Sequence, residues 1–205
     1  MTNEERKNHW EHIYHSKTFE ACSWYQDIPE FSLNQIKKYA AIKTPIIDVG
    51  GGESKLTEKL FQQGFQDLTV LDISQKAIEK AQKRMRGNVS KVQWILSDIT
   101  TFQTDKNYGL WHDRAAFHFL TQQNDIATYI DIASERIVIG GYLVIGTFSK
   151  TGPNRCSGID VKQYDAPSLA RCFKKSFTLV HHQEMLHTTP FDTQQAFCFC
   201  ILQRN

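Results

Sequence analysis

This sequence predicts an α/β protein with a largely parallel sheet, and three observations carry that expectation. Short β-branched runs alternate with helical stretches along most of the chain. The run Pro45-Ile46-Ile47-Asp48-Val49 leads into Gly50-Gly51-Gly52 and then a helical segment. That is the strand, turn and helix start where a backbone approaches a nucleotide-like ligand. Two strand-like segments then close the chain with only a short turn between them, which makes an antiparallel hairpin at one sheet edge.

The elements follow in order. Residues 3–15 read as a helix with Trp10, Ile13 and Tyr14 on one stripe. Pro29 opens a second helix reaching about Ala41, since proline fits a first helical turn. Strand 45–49 precedes the glycine turn and helix 54–63. Strand 67–72 leads to helix 74–86, with Ser74 as its N-cap. Strands 91–97 and 108–113, helix 123–136 and strand 141–148 come next. The segment from Phe148 to Ile159 is polar and punctuated by Gly and Pro, a kind of loop that often carries function. A short helix near 166–174 precedes strands 176–187 and 194–202, joined through Thr189-Pro190-Phe191-Asp192. Cys198 and Cys200 alternate with Phe197 and Phe199, so the two thiols share one sheet face as small core residues. With no repeat, linker or low-complexity tract, residues 1–205 read as one domain, 1–42 forming a helical lid segment and 43–205 the core.

Composition narrows the function. Lys plus Arg number 24 against 22 Asp plus Glu, a net charge of +2, which gives no electrostatic case for a nucleic-acid or membrane partner. The one basic concentration, Lys80, Lys83, Arg84, Arg86 and Lys91, reads as a solvated helix face. Five cysteines without a C-x-x-C pair indicate neither a disulfide framework nor a zinc site, and no metal is expected. No apolar run is long enough to span a membrane and the N-terminus is polar, so a reducing cytoplasm is the expected location. Oligomeric state is not encoded in any feature of the chain.

The run Leu68-Thr69-Val70-Leu71-Asp72 places a carboxylate at the tip of the second strand, about 20 residues past the glycines, where it can accept from ribose hydroxyls. The dinucleotide fingerprint needs a third small residue where this chain has Lys55, which disfavours an NAD-dependent dehydrogenase. Asp48 before the turn suits a cationic or amine-bearing ligand better than a pyrophosphate. Here the chain resembles the class I S-adenosylmethionine (SAM) methyltransferases. Their acid-x-G-x-G-x-G motif is matched by Asp48-Val49-Gly50-Gly51-Gly52-Glu53-Ser54, with Ser54 in place of the last glycine and also suited to a helix N-cap. The resemblance covers residues 40–205. It implies a three-layer sandwich around seven strands with the last antiparallel, SAM as cofactor and S-adenosylhomocysteine as product. By the same resemblance Asp72 holds the ribose, Asp98 reads the adenine amino group, and Ile73 and Ile99 sandwich the ring.

The acceptor side is less specified. The segment Asp113-Arg114-Ala115-Ala116-Phe117-His118 follows the fourth strand, which in the family lies beside the reactive methyl group. His118 is a candidate general base by its ordinary pKa, with a packing role as the competing reading. Asp113 is a second catalytic candidate, and Asp113 with Arg114 forms either cofactor contacts or an ion pair. The family's Asn- or Asp-Pro-Pro-aromatic tetrad is absent, which lowers base methylation of nucleic acid. Adjacent aromatics Trp24 and Tyr25 in a polar stretch are expected to cover the site, supported by Trp10 and Tyr14. Arg155 is the candidate reader of an anionic acceptor, with Lys150 and Tyr164 as weaker ones, and Cys156 is not needed as a nucleophile. The expected reaction is methyl transfer from SAM to an N, O or S nucleophile of a small molecule. A protein lysine methyltransferase and a non-catalytic SAM-binding partner protein are the alternatives.

Overall fold

A computed structural model describes all of residues 1–205. Helices α1 (Asn3–Ser16) and α2 (Glu30–Tyr39) precede an alternating core: β1 (Ile46–Val49), α3 (Leu56–Gln62), β2 (Leu68–Asp72), α4 (Gln75–Met85), β3 (Val92–Leu96), β4 (Tyr108–Arg114), α5 (Gln123–Arg136) and β5 (Ile137–Phe148). A two-stranded hairpin, β6 (Arg155–Cys156) and β7 (Ile159–Asp160), then α6 (Ala166–Phe173), β8 (Phe177–Thr188) and β9 (Gln194–Arg204) complete the chain.

The main sheet has seven strands in the order β3-β2-β1-β4-β5-β9-β8. Strands β3, β2, β1, β4 and β5 pair in parallel, while β9 runs antiparallel to both β5 and β8. The expected terminal hairpin is present, with β9 inserted between β5 and β8. Strand alternation divides the core. Ile46, Val70, Leu110, Val144 and Ile201 pack with Leu33, Ile36, Leu56 and Leu60 of α2 and α3. Their chain neighbours Ile47, Leu71, Trp111, Ile145, Cys200 and Leu202 pack with Tyr129 of α5 and Leu169 and Phe173 of α6. Helix layer, sheet and helix layer therefore form the expected three-layer sandwich. Cys198 and Cys200 lie together in the second layer's core, and Phe197 and Phe199 point the other way.

Two differences from the sequence expectation have local causes. Strand β5 begins at Ile137 rather than 141, because Gly140 at φ 80 lets it bend at a register shift against β4. The polar loop after β5 folds partly into the β6–β7 hairpin, which turns through Ser157 and Gly158, both at positive φ. No helix is long and apolar enough to cross a membrane, and no group of three or more His, Cys, Asp or Glu could hold a metal ion.

Helix α1 stands outside the layers, and its contacts fix its course. Arg6 bonds Asp98 after β3, Glu11 bonds Ser74 and the Lys76 amide after β2, and Tyr14 reaches Gly52 after β1. The helix thus crosses the carboxyl rim of the sheet, where open α/β sheets bind ligands.

Candidate active site

The strand order reverses between β1 and β4, and the glycine turn lies there. Gly50 and Gly52 take φ 66 and φ 46, the left-handed region that disfavours a Cβ. A Cβ on Gly50 would come 2.6 Å from the Ala116 Cβ, and one on Gly52 would come 2.7 Å from Tyr14 Oη and 2.9 Å from Asp72 Oδ2. The turn is braced from α4, where Arg84 Nη2 donates to the carbonyls of Glu53 (2.7 Å) and Ser54 (3.0 Å). Ser54 Oγ accepts from the Leu56 amide at 3.1 Å, but the N-cap of α3 is Lys55, which makes no side-chain cap bond, so Ser54 braces the turn before the helix rather than capping it as expected.

Above the turn lies a cleft of about 130 Å³. The rim contributes Gly50, Asp72, Ile73, Asp98 and Ile99. The lid contributes Arg6, Trp10, Tyr14 and Trp24. Phe119, Phe148, Gln195 and Phe197 form the far wall with Arg114, and Cys156 closes the side. Trp10 packs edge-on against Trp24 (5.9 Å) and Phe119 (4.8 Å), so the lid aromatics form one connected wall. A smaller adjoining cavity is lined by Asp48, Gly51, Ser54 and His112, with Tyr14, Trp24 and Arg114 shared between the two.

The three carboxylates differ. Asp72 is buried, and its Oδ1 accepts from the Ser74 amide at 2.8 Å. Burial is the main cause that pushes its pKa up to about 7, with the nearby Asp48 charge adding to it. Asp98 is held instead by Arg6 Nε on Oδ2 (2.8 Å) and by the Thr100 amide and hydroxyl on Oδ1 (both 2.8 Å). Asp48 Oδ1 lies 2.7 Å from His112 Nδ1, whose Nε2 lies 2.8 Å from Ser32 Oγ on α2. A hydrogen-bonded chain therefore ties α2 to the base of the glycine turn.

A methyltransferase-domain family model matches residues 46–141, the stretch from β1 into β5 that builds this rim. Residues 46–141 thus carry a methyltransferase domain, and the seven-stranded sheet has the class I S-adenosylmethionine-dependent methyltransferase fold. Among curated relatives it is 22% identical over 140 residues to the eEF1A lysine and N-terminal methyltransferase of Bos taurus, covering 68% of this chain and 20% of that protein. It is 29% identical over 122 residues to a ubiquinone biosynthesis O-methyltransferase of Rickettsia felis, covering 60% and 48% of the two chains. The chain thus spans about a fifth of the length of the first relative and about half of the second. In fold it is similar to the N-methyltransferase NodS from Bradyrhizobium japonicum in complex with S-adenosyl-L-homocysteine, at TM-score 0.74 and 18% identity over 97% and 98% of the chains.

Several candidates expected from the sequence do not reach the cleft. His118 is fully buried at 0% exposure and its Nδ1 accepts from the Phe148 amide at 3.0 Å. Burial, with Arg114 adding, pushes its pKa down to about 3, so it is a neutral packing group rather than a base or a substrate contact. Asp113 is equally buried. It accepts from the Ala116 and Phe117 amides and from Tyr129 Oη at 2.8 Å, which makes it a turn cap rather than a catalytic or cofactor residue. It forms no ion pair with Arg114, whose Nη1 donates to the Trp24 carbonyl at 3.0 Å. Arg155 is turned into its own hairpin, bonding the Gly158 carbonyl (2.6 Å) and Asp160 (3.0 Å). Tyr164 is buried against Phe117, and Lys150 donates to the Gln163 carbonyl. Tyr25 packs edge-on against Phe19, with Lys55 over its ring, outside the cleft.

The sequence reading also missed residues. Arg6 precedes Trp10 and Tyr14 by one and two helical turns, so the same stripe that marked the aromatics marked it. Gln195 shares a face of β9 with Phe197, opposite the cysteines, and the same period-2 alternation marks it. Phe119 adjoins His118 and takes the cleft position that was expected of the histidine.

Proposed function

We propose that this chain transfers the methyl group of SAM to a small-molecule nucleophile in the cleft beneath α1. One observation carries the reading: the cofactor-type rim and an aromatic wall are two sides of a single cleft roofed by the chain's own N-terminal helix. When bound, SAM supplies a methyl group already activated on a sulfonium, so the protein's task is to position the acceptor in line.

The residues fit that cofactor. Gly52 leaves open the space between Asp72 and Tyr14 that a Cβ would fill. Asp72 would accept from the ribose hydroxyls, and Ile73 and Ile99 would flank the adenine. Each carboxylate oxygen accepts more than once, so Asp98 can take the adenine amino group while Arg6 holds it. Asp48, Gly51 and Ser54 line the smaller cavity, where the amino-acid end would lie. Trp10, Tyr14 and Trp24 present ring faces and edges to the sulfonium side, and cation–π attraction there is worth on the order of 0.5–2 kcal/mol. Five free cysteines suit a reducing, cytoplasmic setting.

Protein lysine methylation is the second reading, favoured by the name of the bovine relative. Calorimetry with SAM, S-adenosylhomocysteine and NAD tests the cofactor class, and a folded protein that binds neither SAM nor its product would overturn the proposal. Transfer of a tritiated methyl group into lysate separated into protein, RNA and small-molecule fractions then decides the acceptor class. Label in the small-molecule fraction is the expected result, and label confined to protein would favour the second reading.

A further inference from the structure

We propose that Arg114 and the aromatic wall around it form the acceptor subsite, and that the acceptor nucleophile is an anion: a thiolate, phenolate or carboxylate on an apolar body. This rests on the methyltransferase reading above and goes further by naming the substrate class.

The guanidinium is poorly partnered for a cation in a half-buried side chain. Its Nη1 has a backbone carbonyl, its Nη2 is buried without a protein partner, and its Cζ lies 5.4 Å from the Phe197 ring centroid. No carboxylate pairs with it, and burial lowers its pKa to about 10. A cation left in this state is costly, and an anionic ligand relieves the cost. Gln195 Oε1, on the same wall, is also buried without a partner and can accept from a donor on the ligand. Trp24, Phe119, Phe148 and Phe197 supply flat apolar surface for the ligand body.

The cleft's remaining chemistry agrees. His118 is sealed away, Asp72 stands at the ribose end, and burial raises the Cys156 thiol above its ordinary pKa, so it stays protonated. An anionic acceptor needs no base. Its lone pair forms the bond to the methyl carbon, the carbon–sulfur pair returns to sulfur, the two charges cancel, and no proton moves. Arg114 also holds such an acceptor in its deprotonated form.

The rival anion is the cofactor's own carboxylate, because Arg114 also lines the smaller cavity beside Asp48. Two titrations separate them. With the protein saturated by S-adenosylhomocysteine, benzoate is expected to bind about ten-fold or more tightly than benzamide, as a charge-assisted pair implies. That preference should vanish in Arg114→Gln and persist, reduced, in Arg114→Lys. Equal binding of the two probes by the native protein, no benzoate binding at millimolar concentration, or an intact preference in Arg114→Gln overturns the proposal. In the second titration, S-adenosylhomocysteine is compared with 5′-methylthioadenosine, which lacks the amino-acid end. A loss in Arg114→Gln confined to S-adenosylhomocysteine assigns the guanidinium to the cofactor and also overturns it. Failure of the native protein to bind S-adenosylhomocysteine at all would instead sink the methyltransferase reading itself.

Discussion

Arg6 Nε on the lid helix lies 2.8 Å from Asp98 Oδ2 at the tip of β3, while its Nη1 lies 2.8 Å from Asp125 Oδ2 at the start of α5. One side chain thus fastens the roof of the cleft to two elements of the core. It is 7% exposed, so removing it leaves two carboxylates short of a partner in a sheltered place. Arg6→Met should lower unfolding free energy by about 3 kcal/mol, the usual scale for breaking a buried pair. Affinity for S-adenosylhomocysteine should fall with it, and amide exchange in α1 should accelerate. Arg6→Lys should be intermediate, since it keeps the charge without the fork. Native stability and affinity in Arg6→Met would show that Glu11 and the aromatics hold α1 without Arg6.

Asp72 makes cofactor binding depend on pH. Its pKa in the free protein is raised to about 7, so a proton is present on much of the protein at neutral pH. Ribose hydroxyls that donate to the carboxylate favour its anion, so binding expels that proton. Affinity should therefore rise as pH increases from 5.5 toward 7, by up to about ten-fold per unit, and level off above. Calorimetry in buffers of different ionisation heat should detect the released proton. Asp72→Asn should bind weakly and without the pH dependence. A flat affinity profile in the native protein would remove Asp72 from the ribose.

How far the sequence reached is clearest in these residues. Asp72, Ile73, Asp98 and Ile99 were legible because each sits where a β-branched run stops, and parallel strands bring such stops to one rim. Trp10 and Tyr14 were legible from helical spacing. Trp24 and Tyr25 were not separable, since neighbours on an irregular segment point in different directions and no periodicity sorts them. His118 and Asp113 misled for a related reason. Asp113 is on β4 itself, where it caps the turn that follows, and His118 lies in that turn, where one residue's rotation decides between cleft and core and Ala115 at φ 74 makes it. Arg155 misled because its hairpin partner Asp160 is a local contact that a loop reading does not anticipate.

His118 should make the protein sensitive to acid. Its pKa is about 3 in the folded chain against about 6.5 when unfolded. The unfolded chain therefore takes up a proton that the folded chain refuses. The stability that neutral His118 contributes is complete above pH 6.5 and falls as pH drops toward 3, by about 1.4 kcal/mol per unit. Asp72 and Asp113, raised to about 7 and about 6, act in the opposite sense, so the comparison must be with a variant. His118→Asn keeps an acceptor for the Phe148 amide and cannot titrate. The stability gap between native protein and variant should shift in the variant's favour between pH 6.5 and 4.5. A gap independent of pH would mean that His118 ionises freely in the fold.

Ala115 offers a test of strain. It occupies the left-handed region at φ 74, which costs a residue with a Cβ roughly 1–2 kcal/mol, and Asp113 caps the amides that follow it. Ala115→Gly should raise unfolding free energy by up to about 1 kcal/mol, once the greater freedom of glycine in the unfolded chain is deducted. Asp113→Ala should lower it by about 1–3 kcal/mol by stranding the Tyr129 hydroxyl and two amides. Denaturant midpoints at neutral pH measure both, and a destabilised Ala115→Gly would show that the Cβ contributes more in packing than it costs in strain.

Gly52 separates the backbone's demand from the ligand's. A methyl group there meets Tyr14 Oη at 2.7 Å and Asp72 Oδ2 at 2.9 Å, closer than side-chain carbons normally approach, and the residue also stands at φ 46. Gly52→Ala should therefore cost about 1 kcal/mol in strain and lose cofactor affinity by far more than that implies. The excess arises because the methyl group displaces Asp72 and Tyr14 from the cleft. Tyr14→Phe removes one of the two obstructing oxygens. In the double variant part of the lost stability should return, whereas cofactor affinity should not, because Asp72 remains displaced. A double-mutant cycle run on both quantities reads the two effects separately. Recovery of affinity in the double variant would place the obstruction at Tyr14 alone and release Asp72 from the ribose role.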